Sequence, residues 1–438
     1  MSAMRVPTSL PDLLRSAAFA RAYALTAITA AFLSTAVGRV AGATTLATIM
    51  TGLVVLGVSV LVLRRDELSI IGFAPTSLVA FVAWALISFS WSLDGAHGRA
   101  LSSWLTLAAW TIIAITVAHI RDTLQIVRAV GDVLRWLLSA SLAIEVLTGI
   151  IFDASMERLG VEGLIAFGGP IQGLFASRNL LGFVTIIALV TFIIEWRARS
   201  VPPLVAVYSI VLAALLAALS GSPAALVVAA FTVLAVLLLS LARRTERASR
   251  RRLHAVIASI AVAGILGIWV LHKPIALFLA NRSGFASRVE LWSAIRVWIG
   301  QHPITGWGFF GSWEGDPFPT NIIDLTVAKE NDSALNAYVD VVMQLGWVGL
   351  LLFCAFAVLA LVRAWLAGSD RRSVVYSWLP LMLVVLLVES VFESYTLTNV
   401  GWFLLVICAV RAGQERSWRT SIDMTAPIPL PPQLSAPR

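Results

Sequence analysis

The chain has 438 residues, of which 59% are hydrophobic and only 13% are charged, and its mean hydropathy is +0.89. Soluble domains carry about 25% charged residues, so this composition excludes a soluble globular protein and indicates a polytopic membrane protein. The formal net charge of +8 would indicate a nucleic-acid partner only if the basic residues were gathered on one soluble module. They are distributed between apolar blocks instead, and we expect no nucleic-acid partner.

Apolar blocks long enough to form membrane-spanning helices recur along the whole chain. Crossing a hydrocarbon core of about 30 Å takes about 20 helical residues. Continuous apolar runs are typical of helices, whereas the strands of a membrane barrel alternate apolar and polar residues. We therefore predict an all-α bundle of about twelve transmembrane helices. In chain order the predicted spans are Ala22–Val37, Thr44–Leu63, Ile70–Trp91, Leu101–Ile120, Trp136–Phe152, Leu180–Ile194, Pro203–Leu219, Pro223–Leu241, Ala255–Leu271, Val341–Val362, Val374–Val391 and Thr398–Val410.

The basic residues predict the orientation of these spans, because short loops rich in Lys and Arg stay in the cytoplasm. Basic segments follow every second predicted span, for example at Arg64-Arg65 and Arg243-Arg244. This alternation places both termini in the cytoplasm and makes the positive charge a topology signal. Met1–Arg15 has no apolar core, so we expect no cleavable signal peptide.

Two long polar segments are predicted to lie outside the cytoplasm. They are residues 153–179 and residues 273–340, and the second lies between the ninth and tenth predicted spans. Residues 1–416 then form one integral membrane domain. The proline-rich residues 417–438 are predicted to form a disordered cytoplasmic tail.

No cofactor or metal site is predicted from the sequence. The two cysteines, Cys354 and Cys408, both fall inside predicted spans. A small buried thiol is the usual reading there, and the pattern supports neither a disulfide nor a metal site.

The loop 273–340 carries the residues in which we expect the chemistry to lie. Phe285–Ile299 has helical periodicity, with Val289, Trp292 and Ile295 on one face. A helix with a Trp-bearing apolar face and Arg neighbours is expected to lie along membrane lipids or to roof a cavity between spans.

The loop continues with a predicted turn and a second predicted helix. Pro303 ends the first helix, and Gly306 and Gly308 allow a tight backbone turn around Trp307. The second helix is predicted over Asp332–Leu345, leading into the next span. One stripe of that helix holds Asn336, Asp340 and Met343.

These motifs resemble those of the bacterial O-antigen ligase and polysaccharide polymerase superfamily. The resemblance covers roughly Phe175 to Ala364 and lies in the order and spacing of its pieces. The loop pieces are an Arg four residues before a Trp, a Pro before a Gly-aromatic-Gly turn, and an Asn before a Leu-Gly-x-x-Gly entry to a span. In this chain they are Arg288, Trp292, Pro303, Gly306-Trp307-Gly308, Asn336, Leu345-Gly346 and Gly349. Two further pieces are Gly173-Leu174-Phe175 with Arg178-Asn179, and Ser220-Gly221-Ser222.

The resemblance implies a metal-independent glycosyltransferase at the outer face of the bacterial cytoplasmic membrane. A glycan carried on undecaprenyl diphosphate would be transferred to a glycan acceptor, either lipid A core or another lipid-linked repeat unit. The departing diphosphate needs positive charge, and a bidentate guanidinium suits it. Arg288 and Arg178 are the candidates for this catalytic role, although Arg178 is equally well read as an interfacial anchor. Arg282 and Arg296 are second-line candidates.

The sequence departs from the family immediately before Asn336, where ligases carry a His as the general base and this chain has Leu335. Because Leu cannot accept a proton, another group must do so. The candidates are Glu330, Asp332, Asp340 and Glu290. The absence of this His favours a polymerase over an orthodox lipopolysaccharide ligase. The residues expected to bind substrate are Arg282, Trp292, Arg296, Trp307, Asn336 and Asp340.

Two other classes of membrane protein remain open at this point. A secondary transporter of a small solute would have polar groups near the midplane and internal repeats. Glu145 and Glu389 are the main acids inside predicted spans, and each is a candidate functional group because burial is costly. No inverted repeat is evident. A lipid-linked-oligosaccharide flippase would need several cationic residues inside its spans, and the chain lacks them.

Overall fold

The computed structural model describes residues 9–67, 72–92, 97–271, 274, 285–313, 315 and 318–415. Arg282 and the predicted tail 417–438 lie outside these described residues. What the described residues form is a set of helices joined by loops, together with an isolated antiparallel bridge between Met156 and Val161. The predicted all-α class is confirmed for this part of the chain.

The helices are numbered in chain order over the described residues. The earlier ones are α1 (Leu10–Arg15), α2 (Ala17–Phe32), α3 (Ser34–Ala41), α4 (Ala43–Leu63), α5 (Thr76–Ile87), α6 (His97–Ile120), α7 (Thr123–Val146) and α8 (Arg178–Arg197). The later ones are α9 (Pro203–Leu219), α10 (Pro223–Arg244), α11 (Arg247–Val270), α12 (Ala286–Gln301), α13 (Thr320–Val327), α14 (Ala337–Asp370), α15 (Trp378–Glu389) and α16 (Asn399–Glu415).

Six of the described helices are long and apolar enough to cross a membrane, namely α4, α6, α7, α8, α10 and α14. The pair α2 and α3 makes a seventh candidate that bends by 70° at its break. α5, α9 and α15 are apolar but shorter. Several helices of an integral membrane protein are therefore confirmed, whereas the predicted count of twelve spans is not.

The distribution of buried and exposed apolar side chains in the bundle is that expected of a protein surrounded by lipid. Nearly every residue of α16 from Val400 to Ala412 is buried, and this helix packs against α2, α6, α14 and α15. Peripheral helices expose large apolar side chains instead, such as Leu204 at 84% and Leu226 at 74%. Such exposure is favourable against lipid tails and unfavourable in water.

The two predicted loop helices have different outcomes. The helix predicted over Phe285–Ile299 is confirmed as α12. The helix predicted from Asp332 begins later, at Ala337, because Asn336 caps it: Asn336 Oδ1 accepts hydrogen bonds from the N–H groups of Tyr338 at 2.9 Å and Val339 at 3.1 Å. Asp332 consequently lies on a loop and not on the face of a helix.

The glycine-rich turn Gly306-Trp307-Gly308 packs against a break in helix α14. Gly346 has the non-helical angles φ 65° and ψ −171°. Carbonyl groups in the helical turn before Gly346 can therefore accept hydrogen bonds from outside the helix. Trp307 N–H donates to Met343 O at 3.0 Å, and Gly308 N–H donates to Gln344 O at 2.8 Å. A Cβ on Gly306 or Gly346 would collide with the backbone of the opposite segment. The loop is thus fixed to α14 through backbone contacts that only glycine permits.

Candidate active site

The side chain of Arg288, on α12, is the centre of a polar network at one end of the bundle. Its Nη1 donates to Leu335 O at 3.0 Å and to Phe392 O. Its Nη2 donates to Glu393 Oε1 at 2.8 Å. The Arg288 side chain is 14% exposed and that of Glu393 is 6% exposed, so water screens this ion pair weakly. These contacts use three of the five N–H donors of the guanidinium, which leaves donors for a further partner.

Glu393 extends the network to α8 and α10. Asn179, in the first turn of α8, donates from Nδ2 to Glu393 Oε1 at 2.8 Å. Ser222, the N-cap of α10, donates from Oγ to Asn179 Oδ1 at 2.9 Å. Two of the sequence pieces singled out above, those around Asn179 and Ser222, thereby join Arg288 in one hydrogen-bonded chain.

The start of α14 contacts the same region. Asn336 Nδ2 donates to Val391 O at 3.0 Å, and Ala337 N–H donates to Ser390 O at 2.8 Å. Leu335, whose carbonyl accepts from Arg288, has φ 49°. Since both polar atoms of the Asn336 amide are engaged within the protein, this side chain fixes the segment after α15 against α14.

Burial governs the electrostatics of Glu393. Loss of water raises the pKa of its carboxyl above the ordinary value of a glutamate. The charge of Arg288 and the hydrogen bond from Asn179 oppose this shift, while the negative charge of Asp332 adds to it. The Glu393 carboxyl therefore holds a proton at a higher pH than a glutamate in water.

The two acids predicted inside spans have different surroundings. Glu389 is 1% exposed, and among the described residues neither of its carboxyl oxygens has a hydrogen-bond partner. Glu145 Oε1 accepts from the N–H groups of Gln172 at 2.8 Å and Gly173 at 2.7 Å. Glu145 thus anchors a loop, and this structural role accounts for one of the two acids that were candidate functional groups.

The remaining predicted catalytic residues are exposed. Arg178 is the first residue of α8, and its side chain forms no hydrogen bond or ion pair within the described part of the chain. Glu330 and Asp332 lie on the loop between α13 and α14. Asp332 acts electrostatically on Glu393. The structure brings Asp332 close to the Arg288 network and places Arg178 beside Asn179, whereas none of the described contacts joins Glu330 to it.

Two predicted substrate-binding residues, Trp292 and Trp307, pack within the loop. Trp292 donates from Nε1 to Ala334 O at 2.8 Å. Trp307 donates from Nε1 to Trp298 O at 3.0 Å and contacts the rings of Trp298 and Phe318 edge-on. These contacts position α12 and the glycine-rich turn.

Asp340 and Arg296 differ sharply in environment. Asp340 is 1% exposed, and its Oδ1 accepts from Trp313 Nε1 at 3.0 Å and from Gln344 Nε2 at 2.9 Å. An acid so engaged holds the loop to α14. Arg296 is exposed on α12, and a role in binding substrate stays a prediction for it.

Comparison with known families agrees with this geometry. Residues 208–354 match the family described as O-antigen ligase. The matched range holds Ser222, α12 and Asn336. This match supports the resemblance to the O-antigen ligase and polysaccharide polymerase superfamily over that range. No curated protein matches the chain at a significant level. The match supports a role as a polysaccharide ligase or polymerase.

Sequence reasoning missed the segment that completes the Arg288 network. Glu393 lies beyond the matched range, in a turn expected to be only a short connection at 392–397. A signal was present, because Glu389-Ser390 and Glu393-Ser394 repeat a Glu-Ser pair at the end of an apolar block. Burying an acidic side chain at such a position costs free energy unless a cationic or hydrogen-bonding partner compensates it. That partner, Arg288, is 105 positions away in sequence.

Proposed function

We propose that the chain is a surface-polysaccharide polymerase or ligase that transfers a glycan from undecaprenyl diphosphate to a sugar hydroxyl. The reaction takes place at the outer face of the bacterial cytoplasmic membrane. The observation that carries this proposal is the hydrogen-bonded chain from Arg288 through Glu393 and Asn179 to Ser222. Residues 208–354 of the same chain match the O-antigen ligase family. Polymerisation is preferred to ligation because Leu335 stands where ligases carry a His.

Arg288 meets the negative charge that develops on the departing diphosphate. Glu393 and the carbonyls of Leu335 and Phe392 hold the guanidinium in one orientation, and its remaining N–H donors bind phosphate oxygens. Donors that are oriented before the reaction stabilise transition-state charge without reorganising.

Arg178 supplies a second positive charge to the same diphosphate. It follows Ser177, the N-cap of α8, so the guanidinium starts from a helix end whose free N–H groups also favour anions. Its neighbour Asn179 bonds to Glu393. Two exposed or half-buried arginines on separate helices can therefore face one diphosphate from two sides.

Asp332 accepts the proton of the acceptor hydroxyl. Its loop position leaves the carboxylate exposed, and its charge reaches Glu393. The acceptor oxygen forms a bond to the anomeric carbon while the bond from that carbon to the diphosphate oxygen breaks. The electron pair of the broken bond stays with undecaprenyl diphosphate, and the hydroxyl proton goes to Asp332. Asp340 is not suited to this step because its carboxylate is buried and already bonded.

The experiment is direct turnover with purified protein in lipid nanodiscs. The probe is the undecaprenyl-diphosphate-linked repeat unit extracted from the source bacterium, and products are separated by size and identified by mass. We expect glycan elongation or transfer, also in the presence of a chelator, because no three His, Cys, Asp or Glu side chains of the described residues gather as a metal site. No product with this donor, together with solute accumulation in proteoliposomes, would favour the transporter alternative.

A further inference from the structure

A polar cavity is formed by α3 and the loop after α7, and the mechanism above does not use it. Its volume is about 530 Å³, within the range of about 300–1,000 Å³ that is usual for small-molecule sites. Its lining includes Arg39 on α3, Ser155 and Glu162 in the loop after α7, and Gln172. Four polar side chains of different chemistry thus border one open cavity.

The walls of this cavity are fixed by contacts deeper in the bundle. Glu145 accepts from the N–H groups of Gln172 and Gly173, and Ser141 Oγ accepts from Leu174 N–H at 3.2 Å. On the other wall, a Cβ on Gly160 would lie 2.7 Å from Arg39 Nη1. The buried carboxylate of Glu145 therefore holds the backbone of the loop in place at Gln172, which lines the cavity.

The charges in the cavity select the kind of ligand. Within the part of the chain that the structure describes, neither Arg39 nor Glu162 forms an ion pair or a side-chain hydrogen bond. A guanidinium donates only and a carboxylate accepts only, so together they suit a group that both donates and accepts. Sugar hydroxyls do both. A phosphate would be repelled by Glu162, which argues against a second diphosphate site.

A short segment of chain, residues 176–179, links the cavity lining to the Arg288 network. Ala176 lines it, and the next residue, Ser177, lies with its Oγ 3.4 Å from the hydroxyl of Tyr395. Asn179 then reaches Glu393. The segment that lines the cavity at Ala176 therefore also carries the residue that bonds to Glu393.

We propose that this cavity binds a sugar unit of the glycan substrate, with Arg39, Glu162 and Gln172 hydrogen-bonded to its hydroxyls. The inference rests on the proposed glycosyltransfer, because it takes the substrate to be a saccharide. It adds a subsite on α3 and on the loop after α7, outside the range 208–354 that matches the family.

Binding measured without turnover tests the subsite by itself. The probe is the repeat-unit oligosaccharide released from its lipid carrier, titrated into the purified full-length protein in nanodiscs. We expect Arg39→Gln and Glu162→Gln each to weaken its binding by about tenfold, as is usual when a charged hydrogen bond is lost. Arg158→Gln and Asp153→Asn, exposed changes in the same loop that do not line the cavity, should bind like the wild type. Equal binding by all four variants, or no binding by the wild type, overturns the proposal.

Undecaprenyl diphosphate without a glycan is the second probe. Its binding should be unchanged in Arg39→Gln and Glu162→Gln, and weaker binding in Arg39→Gln would instead make the cavity a phosphate site and overturn the saccharide assignment. In the turnover assay, a raised KM for the lipid-linked donor alone identifies the donor glycan as the occupant, and a raised KM for the acceptor alone identifies the acceptor. If the protein binds the released glycan as expected but forms no product, the subsite stands and the proposed glycosyltransfer fails.

Discussion

Arg288 Nη2 donates a hydrogen bond to Glu393 Oε1 at 2.8 Å, although the two residues lie 105 positions apart. The bond joins the loop helix α12 to the turn between the last two helices of the described chain. Both side chains are largely withdrawn from water, so removing either partner leaves a buried charge without compensation. The function of the protein is expected to depend on the orientation that this contact gives to Arg288.

Replacing Arg288 by Lys should remove most of the activity. An ammonium keeps the charge but cannot hold two carbonyls, Glu393 and a phosphate at once, and loss of a transition-state donor costs about 10²–10³ in rate. Arg288→Ala should be no less severe. Arg296→Lys, an exposed change on the same helix, should be much milder. The measurement is the rate of glycan transfer at equal amounts of folded, membrane-inserted protein, and near-wild-type turnover by Arg288→Lys would make Arg288 a structural anchor.

Replacing Glu393 by Gln should change how stability depends on pH. Since burial raises the folded-state pKa of Glu393 above its ordinary value, its protonated form is favoured by folding, and its contribution to stability is lost as the pH rises through the folded-state pKa. The wild type should therefore gain melting temperature relative to Glu393→Gln as the pH is lowered from neutral toward about 4.3, the ordinary value for Glu. Glu330→Gln, the same change at an exposed position, is the control for the loss of one carboxyl group.

Changing Asn179 tests the link between α8 and the rest of the network. Asn179→Ala removes a donor to Glu393 and leaves Ser222 Oγ without its acceptor, which should cost about 1–3 kcal/mol of stability. Asn179→Asp should be worse, because it sets a second carboxylate against Glu393. The melting temperatures of the variants in nanodiscs give the order of stability. An Asn179→Asp protein as stable as Asn179→Ala would contradict the contact between Asn179 and Glu393.

A methyl group at Gly346 should disrupt the packing of the glycine-rich turn against α14. Gly346 has φ 65°, and a Cβ there would collide with the backbone of Ile304 and Thr305, so Gly346→Ala should lower the melting temperature strongly. Gly264→Ala is the matched control, since nothing lies within 4 Å of its Cβ position and alanine favours a helix by about 1 kcal/mol. Similar melting temperatures for the two variants would show that the turn does not pack against the break in α14.

Cysteine labelling tests the predicted orientation. In a background with Cys354 and Cys408 replaced by Ala, a cysteine at Lys329 should react with a membrane-impermeant thiol reagent applied outside intact cells. A cysteine at Ala248 should react only after the membrane is permeabilised. Both positions are exposed, so access is set by the side of the membrane. The reverse pattern would place the Arg288 network on the cytoplasmic side and exclude the proposed reaction there.

The amino-acid sequence by itself determined the all-α class, the membrane setting and the position of α12. These properties follow from apolar length and helical periodicity, which are local and can be read within a window of about 20 residues. The sequence also determined that Arg288, Asn179 and Ser222 belong to recurring motifs. It could not fix the start of α14, because whether Asn336 acts as an N-cap or lies inside the helix depends on the segment against which it packs.

Only the tertiary structure decided which of these residues meet. Glu393 became part of the site because the ends of α8, α10, α14 and α15 converge at one end of the bundle, and no local pattern records that convergence. The same holds for Asp340, a candidate base in the predicted loop, and for Glu145, an acid inside a predicted span. One is bonded to Trp313 and Gln344, and the other holds the N–H groups of a loop. Which groups surround a buried acid depends on how distant segments pack, so packing and not sequence position settles its role.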